Sequence, residues 1–239
     1  SSDLLPWQAL LSILSTALFW GWPLVAGIIA LSWGGLTRIG EALGAFRSQL
    51  VLPQDVENTS DFILLRIDEP KTRFRSARHQ VAKVDQPQLV RLIEVVFRDL
   101  HPTQKLWPFS GQTMRTRFQK LLEANKLDTL PQPYKRGLDL GSLRAGGASW
   151  LLMRTEDAEL VRRRGRWITN KVMEVYIQEV SSLQFMPNLP AQTKKLIVSG
   201  VEFFPWVLAR AESLKQAMIP EVVWPYLLRD DAVATALNG

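Results

Sequence analysis

The strongest pattern in the chain is an uncharged run from Leu4 to Thr37, interrupted near its middle by Gly21 and Pro23. Glycine and proline divide such a run, so it predicts two apolar helices, over residues 7–20 and 24–33. Each is the size of a buried core helix rather than of a bilayer span. Gln8, Ser12, Ser15, Thr16 and Ser32 are polar positions inside the run. It lacks the basic start and small-residue cleavage site of a signal peptide. "GGLTRIGEALGAFRSQL" follows, with Ile39, Ala42, Leu43 and Phe46 at helical spacing. "DFILLRI" and "FRSARHQVAKV" then read as two strands around the turn "DEPK", where Pro70 suits a turn. Strand alternation puts Arg73 and Arg75 on one face. Helical spacing returns in 86–99, through Leu89, Leu92, Ile93 and Val96, and in 111–124, through Met114, Phe118 and Leu121. "DTLPQPYKRG" is a loop. The expected class is mainly α with a small antiparallel β-sheet.

The stretch "RTEDAELVRRRGRWITNKVMEVYIQEV" has its own punctuation. Thr155 can cap a helix with acids in its first turn, arginines in its last and Gly165 as terminator. Arginines there complement the helix dipole, and a solvated helix end accounts for them without any function. Thr169 or Asn170 caps the next helix, in which Tyr176 shares a face with Val172, Met173 and Val180. On those residues alone Tyr176 is a core aromatic.

Composition narrows the function. The chain has 239 residues, 46% hydrophobic and 22% charged, which is a globular balance with room for one large domain or a domain with an appendage. The net charge of +6 suits a phosphate-rich partner or an acidic membrane surface. Without cysteine there is no disulfide framework and no thiolate chemistry. The two histidines, His79 and His101, argue against a histidine-based metal site. No phosphate-binding glycine loop is present.

Five separate features then fall in one order. "LTRIGEAL" sets Arg38 one helical turn before Glu41, and Lys71 sits at the hairpin turn in "PKT". "LGSLRAGGASW" puts Arg144 at the start of a helix, with Gly146 and Gly147 allowing close backbone approach. Trp167 and Tyr176 follow. This set resembles the tyrosine recombinases, the phage integrase family, over roughly residues 7–182. Each motif is weak alone; the order, and the arginine–tryptophan–tyrosine spacing, carry the resemblance.

What the resemblance implies is phosphodiester transfer through a covalent intermediate, with no cofactor. Arg38 and Arg144 would clamp the scissile phosphate, since guanidinium forks bind phosphate oxygens bidentately and stay charged. Glu41 would orient Arg38, Lys71 would protonate the 5′-oxygen, and Trp167 would brace the phosphate through its indole N–H. Tyr176 would attack to form a 3′-phosphotyrosyl link. Tyrosine ordinarily titrates near pH 10, so it needs such a cationic setting.

The implied partner is double-stranded DNA, contacted by Arg73, Arg75 and Arg78, with self-association on the DNA and no membrane; the protein would reside with the DNA inside the cell. Two departures stand out. The family's histidine three residues before the second arginine is here Gly141, which removes a proton-transfer partner and makes a DNA-binding protein with weakened catalysis the second reading. His79, which follows the hairpin, is the nearest substitute in sequence. The family's usual amino-terminal clamp domain also has no counterpart here, as expected of a fragment or a reduced form. Residues 1–182 are expected to form the catalytic domain and 183–239 a helical extension. That extension begins with a proline-bounded linker and docks either on a neighbouring protomer or in cis. A third reading, membrane insertion, rests on Leu4 to Thr37 alone.

Overall fold

The structure, a computed structural model, describes residues 3–68, 80–134 and 136–238. The uncharged run forms α1 (Trp7–Phe19) and α2 (Pro23–Gly34). The break between them is built as the sequence requires: Gly21 takes a left-handed φ of +72°, and Pro23 opens α2. Both helices are buried on most of their surface. The polar positions of α1 are not lipid-facing exceptions. Ser12 donates to Asn125 Oδ1 at 2.5 Å, Asn125 donates to Thr16 Oγ1 at 3.1 Å, and Ser15 donates to the Gly200 carbonyl at 2.7 Å. Each of these α1 hydroxyls keeps a partner, which avoids the desolvation penalty. Among the described residues no helix is long and apolar enough to cross a membrane.

After α3 (Ile39–Leu43) comes a three-stranded antiparallel sheet, β1 (Leu50–Val51), β2 (Ile63–Ile67) and β3 (Gln80–Val84). Leu50 pairs with Leu65, and Ile63 with Val84. Alternation holds: Ile63, Leu65, Ile67, Ala82 and Val84 face the core. The two-residue β1 was not expected, because two residues carry no periodicity to read. The segment expected to carry the hairpin turn, with Lys71, Arg73, Arg75, Arg78 and His79, lies outside the described residues. Phe46, expected to continue the amphipathic face of α3, is instead exposed beyond the end of that five-residue helix.

The helices α4 (Pro87–Phe97) and α5 (Gly111–Ala124) match their apolar stripes: Leu89, Leu92, Ile93, Val96, Met114, Phe118 and Leu121 are all buried. Then α6 (Gly141–Thr155) crosses α2 so tightly that a Cβ on Gly146 would lie 1.9 Å from the Leu5 carbonyl oxygen. One on Gly147 would lie 2.0 Å from that of Trp33. Trp7, Trp33 and Trp150 pack together beside this crossing, with ring centroids 5.4–5.7 Å apart.

The rest of the chain is α7 (Ala158–Gly165), α8 (Asn170–Glu174), α9 (Glu179–Asn188), α10 (Ala191–Gln216) and α11 (Trp224–Asn238). The proline-bounded linker is not a linker. α9 runs through Pro187 to Asn188, and only Leu189 and Pro190 separate it from α10. α10 packs in cis along α1, and its Phe204, Val207, Leu208 and Ala211 belong to the same core as α1 and α2. Gly200 is the point of closest approach, since a Cβ there would meet Ser12 Oγ at 2.1 Å and Ser12 Cα at 2.9 Å.

That contact gives a stability test. Gly200→Ala is expected to destabilise the protein by about 1–3 kcal/mol, the usual cost of overpacking. Gly40→Ala has open space within 4 Å and is expected to be neutral or to stabilise by up to about 1 kcal/mol through helix propensity. Urea unfolding of both variants decides it; equal effects would mean that α10 does not sit on α1 as described.

Candidate functional site

The elements around the α2–α6 crossing bring most of the singled-out residues together. Arg38 is the residue before α3, in an extended conformation, and not inside the helix as its spacing suggested. Its backbone N–H donates to Glu41 Oε2 at 2.8 Å and its Nη1 to Glu41 Oε1 at 3.1 Å. The carboxylate thus caps the helix and holds the guanidinium at the same time. The Arg38 side chain keeps 29% of its surface exposed, against 8% for Glu41.

Arg144, in the first turn of α6, is 5% exposed. Its guanidinium carbon lies 4.5 Å from the ring centre of Trp167 and 5.3 Å from that of Tyr176, and the two rings are 5.1 Å apart. Cation–π contact in a water-poor place partly offsets the loss of hydration. Its Nη2 donates to the Gly165 carbonyl. Burial, and then the positive charges of Arg38 and Arg166, pull its pKa down to about 10; Tyr176 and Glu41 oppose this. It therefore stays a cation at neutral pH.

Trp167 is placed by a tight reversal. Gly165 is the last residue of α7, and a Cβ on it would lie 1.6 Å from the Trp167 ring. The chain turns at Arg166, whose φ is +58°. Gly165 therefore serves ring packing, while the left-handed cap is a residue later than expected. The α7 start also differs: Asp157 caps it by accepting from Leu160 N–H at 2.9 Å, whereas Thr155 bonds back to Leu151 inside α6. Thr169 caps α8. Tyr176 lies just past α8, half-buried, with Met173 buried beside it but Val172 and Val180 exposed. Its ring rests on Trp167 and beside Arg144, not on the apolar helix face that the spacing predicted.

The arginine knot divides its work. Arg162 pairs with Glu159 and donates to the Trp167 carbonyl at 2.9 Å. Arg163 is 66% exposed. Arg164 reaches the Lys83 carbonyl at 3.0 Å and Asp85, tying α7 to β3. Arg166 donates to Glu41 Oε2 at 2.6 Å with both side chains nearly buried. A uniformly solvated helix end is thus the wrong account of this run, because tertiary partners at β3 and α3 reach it.

The site so far contains Arg38, Glu41, Arg144, Trp167 and Tyr176, plus Arg166, which the sequence did not single out. Lys71 and the basic hairpin residues are outside the described residues. Gly141 opens α6 at the surface, its N–H donating to Asp139 Oδ1 at 2.7 Å. Three buried N–H donors of the cluster have no hydrogen-bond partner among the described residues: Arg144 Nε, Arg166 Nε and Trp167 Nε1.

No protein-family model matches the sequence, and no curated protein matches it. Solved structures do. The XerH site-specific recombinase bound to difH substrate, in a pre-cleavage complex, aligns with a TM-score of 0.51 at 13% identity, over 74% of this chain and 50% of that one. A post-cleavage complex of XerH with a palindromic difH substrate aligns at 0.52 and 12% identity, over 77% and 52%. The chain has the fold of a tyrosine recombinase catalytic domain. It spans about half the length of the recombinase chains it matches. On this fold the cluster draws on the start of α3, the start of α6, the α7–α8 turn and the segment after α8, elements far apart in sequence.

The unequal arginines give a second test. Arg164→Ala is expected to cost about 1.5–3 kcal/mol, the range for hydrogen bonds to charged groups. Arg163→Ala should stay within about 0.5 kcal/mol, as for surface changes generally. Urea midpoints that move equally would return the whole knot to a solvated helix end.

Proposed function

We propose that the protein cuts and rejoins DNA site-specifically, through a covalent link between Tyr176 and a 3′-phosphate. The observation that carries the reading is the position of the Arg144 guanidinium, buried against the Tyr176 and Trp167 rings with Arg38 close enough to depress its pKa. A buried cation without a carboxylate partner among the described residues is costly unless an anion completes it. A bridging phosphate between two guanidiniums fits that need.

In this mechanism Tyr176 Oη attacks the scissile phosphorus, forming the phosphotyrosyl bond as the bond to the 5′-oxygen breaks. The departing 5′-oxygen takes a proton from the Lys71 ammonium, and the phenolic proton leaves to solvent. Arg38, Arg144 and the Trp167 indole N–H stabilise the charge that builds on the non-bridging oxygens. Attack by the 5′-hydroxyl of a second strand reverses each change and releases Tyr176, so no nucleotide cofactor is consumed. Double-stranded DNA is the substrate, bound along the basic hairpin of Arg73, Arg75 and Arg78, with several copies of the chain assembling on it. Residues 1–182 carry the chemistry, and 183–239 brace it through α10.

Incubation with a pool of nicked duplexes, followed by a denaturing gel, is expected to trap a protein–DNA adduct. Tyr176→Phe should abolish the adduct while DNA affinity stays nearly unchanged. Arg144→Ala should slow its formation by roughly 10²–10³-fold, as loss of a transition-state donor does, whereas Arg163→Ala should not. An adduct that survives in Tyr176→Phe would remove Tyr176 as the nucleophile.

The second reading, a DNA-binding protein with weakened catalysis, is favoured by Gly141. A histidine in that place moves protons, a contribution of roughly 10²–10⁴-fold in general acid–base catalysis. Gly141 is exposed at the start of α6, so a side chain added there starts from the surface and not from the core. Gly141→His is expected to raise the single-turnover cleavage rate. DNA binding with no adduct in either form would establish the second reading.

A further inference from the structure

Arg166 has no place in the mechanism above, yet among the described arginines it is the one with a left-handed backbone. It holds a left-handed φ of +58°, a conformation that glycine adopts freely and a long side chain adopts at a cost. Its side chain is only 6% exposed. Such strain persists where something else over-determines it. Here the constraint is Glu41, whose Oε2 accepts from Arg166 Nη2 at 2.6 Å while its Oε1 accepts from Arg38 Nη1 at 3.1 Å. One carboxylate is thus shared by two guanidiniums, one behind it and buried, the other beside it and partly open.

The charge balance follows. With Glu41 facing Arg38 alone, the pair would be neutral and Arg38 would attract an anion weakly. With Arg166 on the other oxygen, two guanidiniums share one carboxylate while Arg144 lies within electrostatic reach, and Arg38 keeps its charge for a ligand. Resting on the phosphoryl-transfer reading above, we infer that Arg166 is a positioning residue that anchors and neutralises Glu41, so that Arg38 presents an uncancelled charge to the phosphate. Arg166 itself stays behind the site and touches no substrate.

The test needs no DNA target and no cleavage. Inorganic phosphate is titrated into the protein by calorimetry at fixed ionic strength, using wild type, Arg166→Gln and the double variant Glu41→Gln with Arg166→Gln. Arg166→Gln is expected to weaken phosphate binding by roughly fivefold to tenfold, the lower range of coupling between linked sites. The double variant, which has the same net charge as wild type, is expected to recover most of that loss. A merely structural role would not be rescued by deleting a second charged group. If Arg166→Gln fails to fold, Arg166→Gly takes its place, because glycine relieves the backbone. Unchanged phosphate affinity in the single variant, no recovery in the double, or no phosphate binding by the wild type would each overturn the inference. Adduct formation is scored separately. Cleavage through Tyr176 with normal phosphate binding by Arg166→Gln leaves the strand-transfer reading standing without this residue. Loss and rescue of phosphate binding without any adduct would do the reverse.

Discussion

Everything at the site depends on how closely α6 lies on α2 and on the segment before α1. Side-chain atoms at Gly146 or Gly147 would fall on the backbone oxygens of Leu5 and Trp33, so only glycine lets the helices meet at that distance. The crossing sinks the first turn of α6 into the protein, and Arg144 goes with it. An ionised group in such a place costs several kcal/mol unless its surroundings compensate. The compensation is local: the Gly165 carbonyl, the faces of Trp167 and Tyr176, and Glu41 at longer range. The α7–α8 turn is shaped to deliver those groups. Gly165 leaves room for the indole, and Arg166 reverses the chain.

Burial also explains why the charges cannot be read singly. Arg38, Arg144 and Arg166 repel one another, and in water the distances involved would screen that repulsion. Away from water it lowers the pKa of Arg144 and adds to the burial that lowers that of Arg166. Glu41 cannot neutralise all three, so the cluster holds excess positive charge next to a tyrosine. A preorganised field of that kind stabilises negative charge without rearrangement at the moment of reaction.

Much of this was legible in the sequence, and the remainder was hidden for physical reasons. Apolar periodicity located α4 and α5 to within a residue or two, because an amphipathic stripe is a local property. Arg38, Glu41, Arg144, Trp167 and Tyr176 were singled out by order and spacing, and the fold brings them together. The helix face assigned to Tyr176 was wrong, because α8 ends at Glu174 and a lone aromatic takes its neighbours from tertiary packing. The cap at Thr155 was wrong because Asp157, two residues later, offers a carboxylate in better register. Arg166 was missed for a similar reason. Its one local sign is a bulky residue where a helix cap favours glycine, and its partner Glu41 lies in another element.

The uncharged run at the start shows how a single pattern acquires its meaning from distant chain. Read alone, Leu4 to Thr37 is long enough to span a bilayer, although Gly21 and Pro23 divide it into two helices of core size. In the fold, α1 lies between α2 and α10 and contacts α5, and it has almost no face left for water. Its serines and threonine answer Asn125 and the Gly200 carbonyl, polar groups that a bilayer would not supply. α10 makes the most extensive contact with α1 among the described elements, so residues after 190 are part of the reason why α1 can be uncharged. The absence of charge in α1 is thus in large part a consequence of how α10 packs against it.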